Sequence, residues 1–114
     1  MFAVNHRHVI FTIDVGLREI FLRDKYRGKL LKGLMDEAAR IVLELTKKKG
    51  HAQAGVVAAL HTFGSKLEFN PHVHMVVTMG GITPDGKWQT YDYLPYKAMR
   101  IYWQNAVLKL IRRT

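Results

Sequence analysis

The chain has 114 residues, with 18 Lys and Arg against 9 Asp and Glu, and no cysteine. That length suits one domain around one core, the missing cysteines exclude disulfides and thiolate metal sites, and no apolar run approaches the ~20 residues of a membrane span. A net charge of +9 points to a polyanion such as DNA, RNA or an anionic surface, with a generally basic cytosolic protein as the plain alternative.

The first residues, Met1 to Arg7, lack the apolar core of a signal peptide, so the expected compartment is cytoplasmic. His8 to Ile13 is β-branched and aromatic. Val9, Phe11 and Ile13 fall on one face and His8, Ile10 and Thr12 on the other, which predicts a strand. Asp14 and Gly16 then suggest a strand end and a helix cap. Leu17 to Lys49 is helical in pattern, with a short first piece around Ile20 and Phe21 and a weak middle at Gly28 and Gly33. Leu30, Leu31, Leu34, Ala38, Ile41, Val42 and Leu45 recur at spacings of three and four and make one apolar stripe. Arg23, Lys25, Arg27, Lys29 and Lys32 are either a solvated helix face or a phosphate-tracking, DNA-binding surface. Lys47 to Lys49 and Gly50 end the helix, with cations at its negative dipole end and a glycine stop.

Gly55 to His61 and His72 to Met79 read as the second and third strands. Gly64, Ser65, Asn70 and Pro71 between them are turn-formers. An antiparallel hairpin centred near Ser65 to Leu67 sets residues whose numbers sum to 133 opposite one another. His61 then faces His72, and His74 lies one diagonal step away on the same face. Opposed residues have Cβ atoms about 4.5–5.5 Å apart and diagonal ones about 7–8 Å, so three imidazoles can share one cation. A slip of one residue would turn His61 to the other face. Val73, Met75 and Val77 should pack on the long helix and leave the histidine face open.

Gly80-Gly81 and Pro84-Asp85-Gly86 read as turns, and Lys87 to Asp92 as a fourth, edge strand. Leu94-Pro95 opens a last helix, with an apolar stripe of Met99, Tyr102, Trp103, Ala106, Val107 and Leu110. With no cap at its end, the chain reads as cut within or at the end of a helix. Residues 1–114 are expected to form a single α+β domain. The expected architecture is a ferredoxin or RNA-recognition type of sandwich, with about four antiparallel strands and helices on one face. In such a fold the first and third strands are central, which puts His72 and His74 in mid-sheet and allows His8 to come near.

Three segments carry a resemblance: Leu60 to Ser65, Asn70 to His74, and Gly80 to Trp88. With Arg7 to Ile13, they resemble the two-tyrosine HUH transposases of bacterial insertion sequences, in which HUH denotes His, hydrophobic residue, His. Here that motif is His72-Val73-His74. A similar arrangement, one His and then H-x-H after ten residues, supplies the metal ligands of plasmid relaxases of the same fold. The resemblance implies a divalent cation, Mg²⁺ or Mn²⁺, on His61, His72 and His74. It implies nicking and joining of single-stranded DNA at transposon ends, with a tyrosine attacking the scissile phosphate and staying attached to the 5′ end. That chemistry is sound, because a metal Lewis acid neutralises developing phosphoryl charge and tyrosine can act as a covalent nucleophile.

The chain departs from the family in two ways. The family's tyrosines are spaced four apart on a downstream helix, and no two of Tyr26, Tyr91, Tyr93, Tyr96 and Tyr102 are so spaced. The family's upstream cysteine-rich zinc segment has no counterpart. The expectation is therefore a central fragment with its nucleophilic tyrosines beyond Thr114 and no catalytic residue of its own. A non-catalytic single-strand-binding module of RNA-recognition type is the alternative, but such modules stack bases on exposed sheet aromatics, and here the open face offers histidines. An enzyme of small phosphorylated substrates would want a phosphate-cradling glycine loop, which Gly80-Gly81, read as a turn, does not provide.

Overall fold

The computed structural model describes residues 5–23, 27–50, 52–63 and 69–113. Its elements run β1 (His6–Thr12), α1 (Val15–Arg23), α2 (Arg27–Gly50), β2 (Gln53–Phe63), β3 (Phe69–Ile82), β4 (Trp88–Thr90) and α3 (Tyr96–Arg113). The strands make one antiparallel four-stranded sheet, and the class is α+β. Asp14 caps α1 as its position predicts: its Oδ1 accepts the Gly16 N–H at 2.8 Å.

Alternation along β3 decides which face is covered. Val73, Met75 and Val77 are wholly buried, while His72, His74 and Val76 point the other way and stay half-buried. The buried face meets Leu34, Ala38, Ile41 and Val42 of α2, Phe21 of α1, and Met99, Trp103, Ala106 and Val107 of α3 in one core. Each large side chain so buried contributes about 1.5–3 kcal/mol. The three helices therefore lie on the face away from the histidines.

The sheet order corrects the expectation that the first and third strands are central. Only β3 is central, since β2 pairs along one of its edges while β1 and β4 share the other. Met79 marks the handover, donating its N–H to the Asn5 carbonyl at 2.8 Å and accepting the Tyr91 N–H at 3.0 Å. The reason is reach. The connection from β3 to β4 is a tight hairpin in which Gly86 N–H bonds the Thr83 carbonyl at 2.9 Å, so β4 must lie beside β3. Gly86 takes φ 84°, the left-handed conformation that such a turn needs.

Gly80 and Gly81, expected as a turn, lie inside β3. A Cβ on Gly81 would stand 2.4 Å from the Gln53 carbonyl oxygen, and one on Gly80 would stand 2.6 Å from that of Gln89. The glycines serve close approach of neighbouring strands. Beside them β2 shifts register between Ala54 and Val56. The Gly55 N–H donates to Thr78 Oγ1 at 2.9 Å, and the Thr78 hydroxyl donates on to the Gly80 carbonyl at 2.7 Å. Thr78, itself buried, thus supplies partners that the bulge takes from the ladder.

Tyr91 is buried, and its hydroxyl donates to the Ala52 carbonyl at 2.7 Å. Burial raises the phenol's pKa, against a smaller opposing effect of a hydrogen bond with Thr46. Tyr91→Phe should cost about 1–2 kcal/mol, because it removes the donor from a buried carbonyl. Urea denaturation would read this as a lower midpoint with an unchanged slope.

Candidate metal centre

The hairpin register is the one in which residue numbers sum to 133. His61 faces His72, Leu60 faces Val73 and Ala59 faces His74. The two β3 histidines share a face because they are two apart, and His61 joins them because β2 keeps register as far as that residue. Ring centroids lie 4.3 Å apart for His61 and His74, 4.8 Å for His72 and His74, and 5.3 Å for His61 and His72. One ring nitrogen from each lies within 4.8 Å of the others. Nitrogens bound to one ion at about 2.0–2.1 Å stand at most about 4.2 Å apart, so a small ring rotation closes the set.

Local contacts prepare the rings. His72 Nδ1 lies 2.5 Å from the Asn70 carbonyl oxygen. A carbonyl only accepts, so Nδ1 carries the proton and Nε2 keeps its lone pair. Desolvation, and then the neighbouring rings of His61, His72 and His8, hold the His74 imidazole below its usual pKa. A neutral imidazole is the ligating form. The donor set therefore suits a divalent cation of borderline character.

Arg23, Lys29 and Lys32 are exposed on α1 and α2, and so on the helical side of the sheet. Arg23 pairs with Glu19 at 2.6 Å and Lys32 with Asp36 at 2.8 Å. Lys25 and the side chain of Arg27 lie outside the described residues. The fold thus brings the three histidines together and does not bring Arg23, Lys29 or Lys32 to them.

A model of the family described as "Putative transposase" matches residues 55–114, more than half of the chain. The chain belongs to this transposase family. It is 33% identical over 97 residues to the transposase for insertion sequence element IS801 of Pseudomonas savastanoi pv. phaseolicola, covering 85% of this chain and 22% of that protein. It is 37% identical over 82 residues to Putative transposase y4qJ of Sinorhizobium fredii (strain NBRC 101917 / NGR234), covering 69% of this chain and 20% of that protein. The transposase chain described here therefore spans about a fifth of the length of these relatives.

Among solved structures, a metal-bound conjugative relaxase TrwC in complex with oriT DNA superposes with a TM-score of 0.61 at 12% identity, over 93% of this chain and 42% of the relaxase. TrwC complexed with a 27-mer DNA comprising the recognition hairpin and the cleavage site gives 0.55 at 13% identity, over 93% and 44%. At such identities the likeness shows a shared fold.

The tyrosines of the transposase chain are dispersed. Tyr91 is buried, Tyr93 is exposed, and Tyr26 lies outside the described residues. Tyr102 sits beside Arg40 and Glu44. Tyr96, Arg100 and Gln104 line a groove of about 370 Å³ between α3 and β1, with Ile10, Thr12 and Asp14 opposite. Sequence reading missed this groove. Its signal was the spacing of four along α3, flanking the apolar stripe, since Met99 and Trp103 line the same groove. No helix among the described residues is long and apolar enough to cross a membrane.

Proposed function

We propose that this transposase chain is the strand-handling core of a two-tyrosine HUH protein that nicks and joins single-stranded DNA at transposon ends. His61, His72 and His74 hold one divalent cation, and the nucleophilic tyrosines come from outside residues 1–114, which form one domain. The observation that carries the reading is the triad itself, whose ligand nitrogens lie within 4.8 Å of one another on the uncovered face of the sheet. When bound, the cation would act as a Lewis acid toward a phosphoryl oxygen. Three protein ligands would leave positions open for that oxygen and for water. The relaxase fold supports the reading, since TrwC structures of that fold hold DNA and a metal.

The alternative of a base-stacking module is disfavoured by the open face. The partners of His72, His74 and Val76 are Thr12, Ile10 and His8 on β1 and His61, Ala59 and Val57 on β2. None is aromatic in the sense of Phe, Tyr or Trp, on which such modules stack bases. The cations of α1 and α2, on the other side, form a second surface that tracks phosphates. Single-strand affinity measured against salt should therefore fall with a log–log slope of about −0.7 per phosphate contact. Lys29→Gln with Lys32→Gln should flatten that slope while leaving Mn²⁺ binding intact, because the two surfaces lie on opposite faces. A flat salt response, or equal affinity for a small phosphorylated metabolite, would overturn the reading.

A further inference from the structure

A fourth histidine lies on the same face. His8 opposes Val76 on β3, and its ring leans along the strand to His74. His8 Nε2 lies 3.0 Å from His74 Nδ1, with ring centroids 5.1 Å apart and planes at 34°. Two imidazole nitrogens at hydrogen-bond distance require one proton between them, and the free lone pairs then depend on which ring carries it. His72 shows the pattern on the same strand, with Nδ1 tied to a carbonyl and Nε2 free. We propose that His8 is a positioning residue: its Nε2 accepts the Nδ1 proton of His74, which turns the Nε2 lone pair of His74 toward the cation.

The inference rests on the metal reading above and extends it by one residue. An imidazole whose Nδ1–H has an acceptor is locked in tautomer and rotation, and its ligating nitrogen becomes more basic. His8 touches neither phosphate nor cation in this arrangement and acts through His74. Its own ring is exposed on an outer strand, so replacement removes the hydrogen bond and leaves the core of the sheet in place.

The test has a metal-free arm and a metal arm. Ring-nitrogen NMR on the isotope-labelled, metal-free full chain should show His74 as the Nδ1–H tautomer. In His8→Ala it should move toward the Nε2–H form that free imidazole side chains favour. In His8→Gln, whose amide oxygen also accepts, the Nδ1–H form should return. Calorimetry with Mn²⁺ should show about 10–100-fold weaker binding in His8→Ala at unchanged stoichiometry, and recovery in His8→Gln. A His74 tautomer that His8→Ala leaves unmoved would overturn the proposal. So would complete loss of Mn²⁺ binding that His8→Gln does not restore, because that would make His8 a ligand. A wild-type chain that binds no Mn²⁺ would remove the metal reading instead, and the tautomer arm would still decide whether His8 orients His74.

Discussion

Mn²⁺ titrated into the full chain should fill one site, and His72→Ala should abolish that binding. The Nδ1–H of His72 is tied to the Asn70 carbonyl, so its Nε2 is aimed before any ion arrives. His74 lies between the others, with ring centroids 4.3 Å from His61 and 4.8 Å from His72. Removing either leaves two nitrogens on an open face, and the affinity should drop by more than the ~100-fold upper range for losing an outer-shell partner. His61→Ala should cost less, on the order of tenfold, because His61 is exposed and stands where β2 begins to lose register. The rings project from the uncovered face, so far-UV circular dichroism should not change. Protons compete for the same nitrogens, so affinity should fall on acidification. His74, with its lowered pKa, should remain neutral to lower pH than an ordinary imidazole. Undiminished binding by the His72→Ala, His74→Ala double variant would refute the site.

Gly81→Ala should destabilise the fold by about 2–4 kcal/mol, more than the 1–3 typical of side-chain overpacking. The added methyl would meet backbone, with the Gln53 carbonyl oxygen at 2.4 Å, its carbon at 2.5 Å and the Ala54 nitrogen at 2.8 Å. Backbone cannot rotate aside as a side chain does, so β2 must separate from β3. On a domain of this size the melting temperature should fall by roughly 10 °C. Gly86→Ala is the contrasting control. Nothing lies within 4 Å of its added Cβ, and only φ 84° opposes it. That change should cost about 1 kcal/mol. Equal melting temperatures for Gly81→Ala and the wild type would show that the strands do not approach so closely.

Short-range pattern was enough for part of this protein. Period-two alternation placed His72 and His74 on one face and Val73, Met75 and Val77 on the other, because strand geometry leaves no third choice. The spacing of Leu30, Leu34, Ala38, Ile41 and Val42 marked the buried side of α2 for the same kind of reason. The hairpin centre that sequence suggested gives the register of 133 that holds from Val56 to His61, while β2 shifts register on either side of that stretch. Tertiary structure alone decided the rest. Gly80-Gly81 is turn-like by local chemistry, yet strand pairing on both edges holds it extended, and the neighbouring backbones are what require glycine there. β1 became an outer strand because a tight hairpin sends β4 to the same edge of β3. Arg23, Lys29 and Lys32 ended on the helical side, opposite the histidines, because the apolar stripe fixes which way α2 faces. His8 met His74 across 66 positions of chain. No local propensity encodes such a contact, which exists only once two strands are paired and two side chains lean toward the same point.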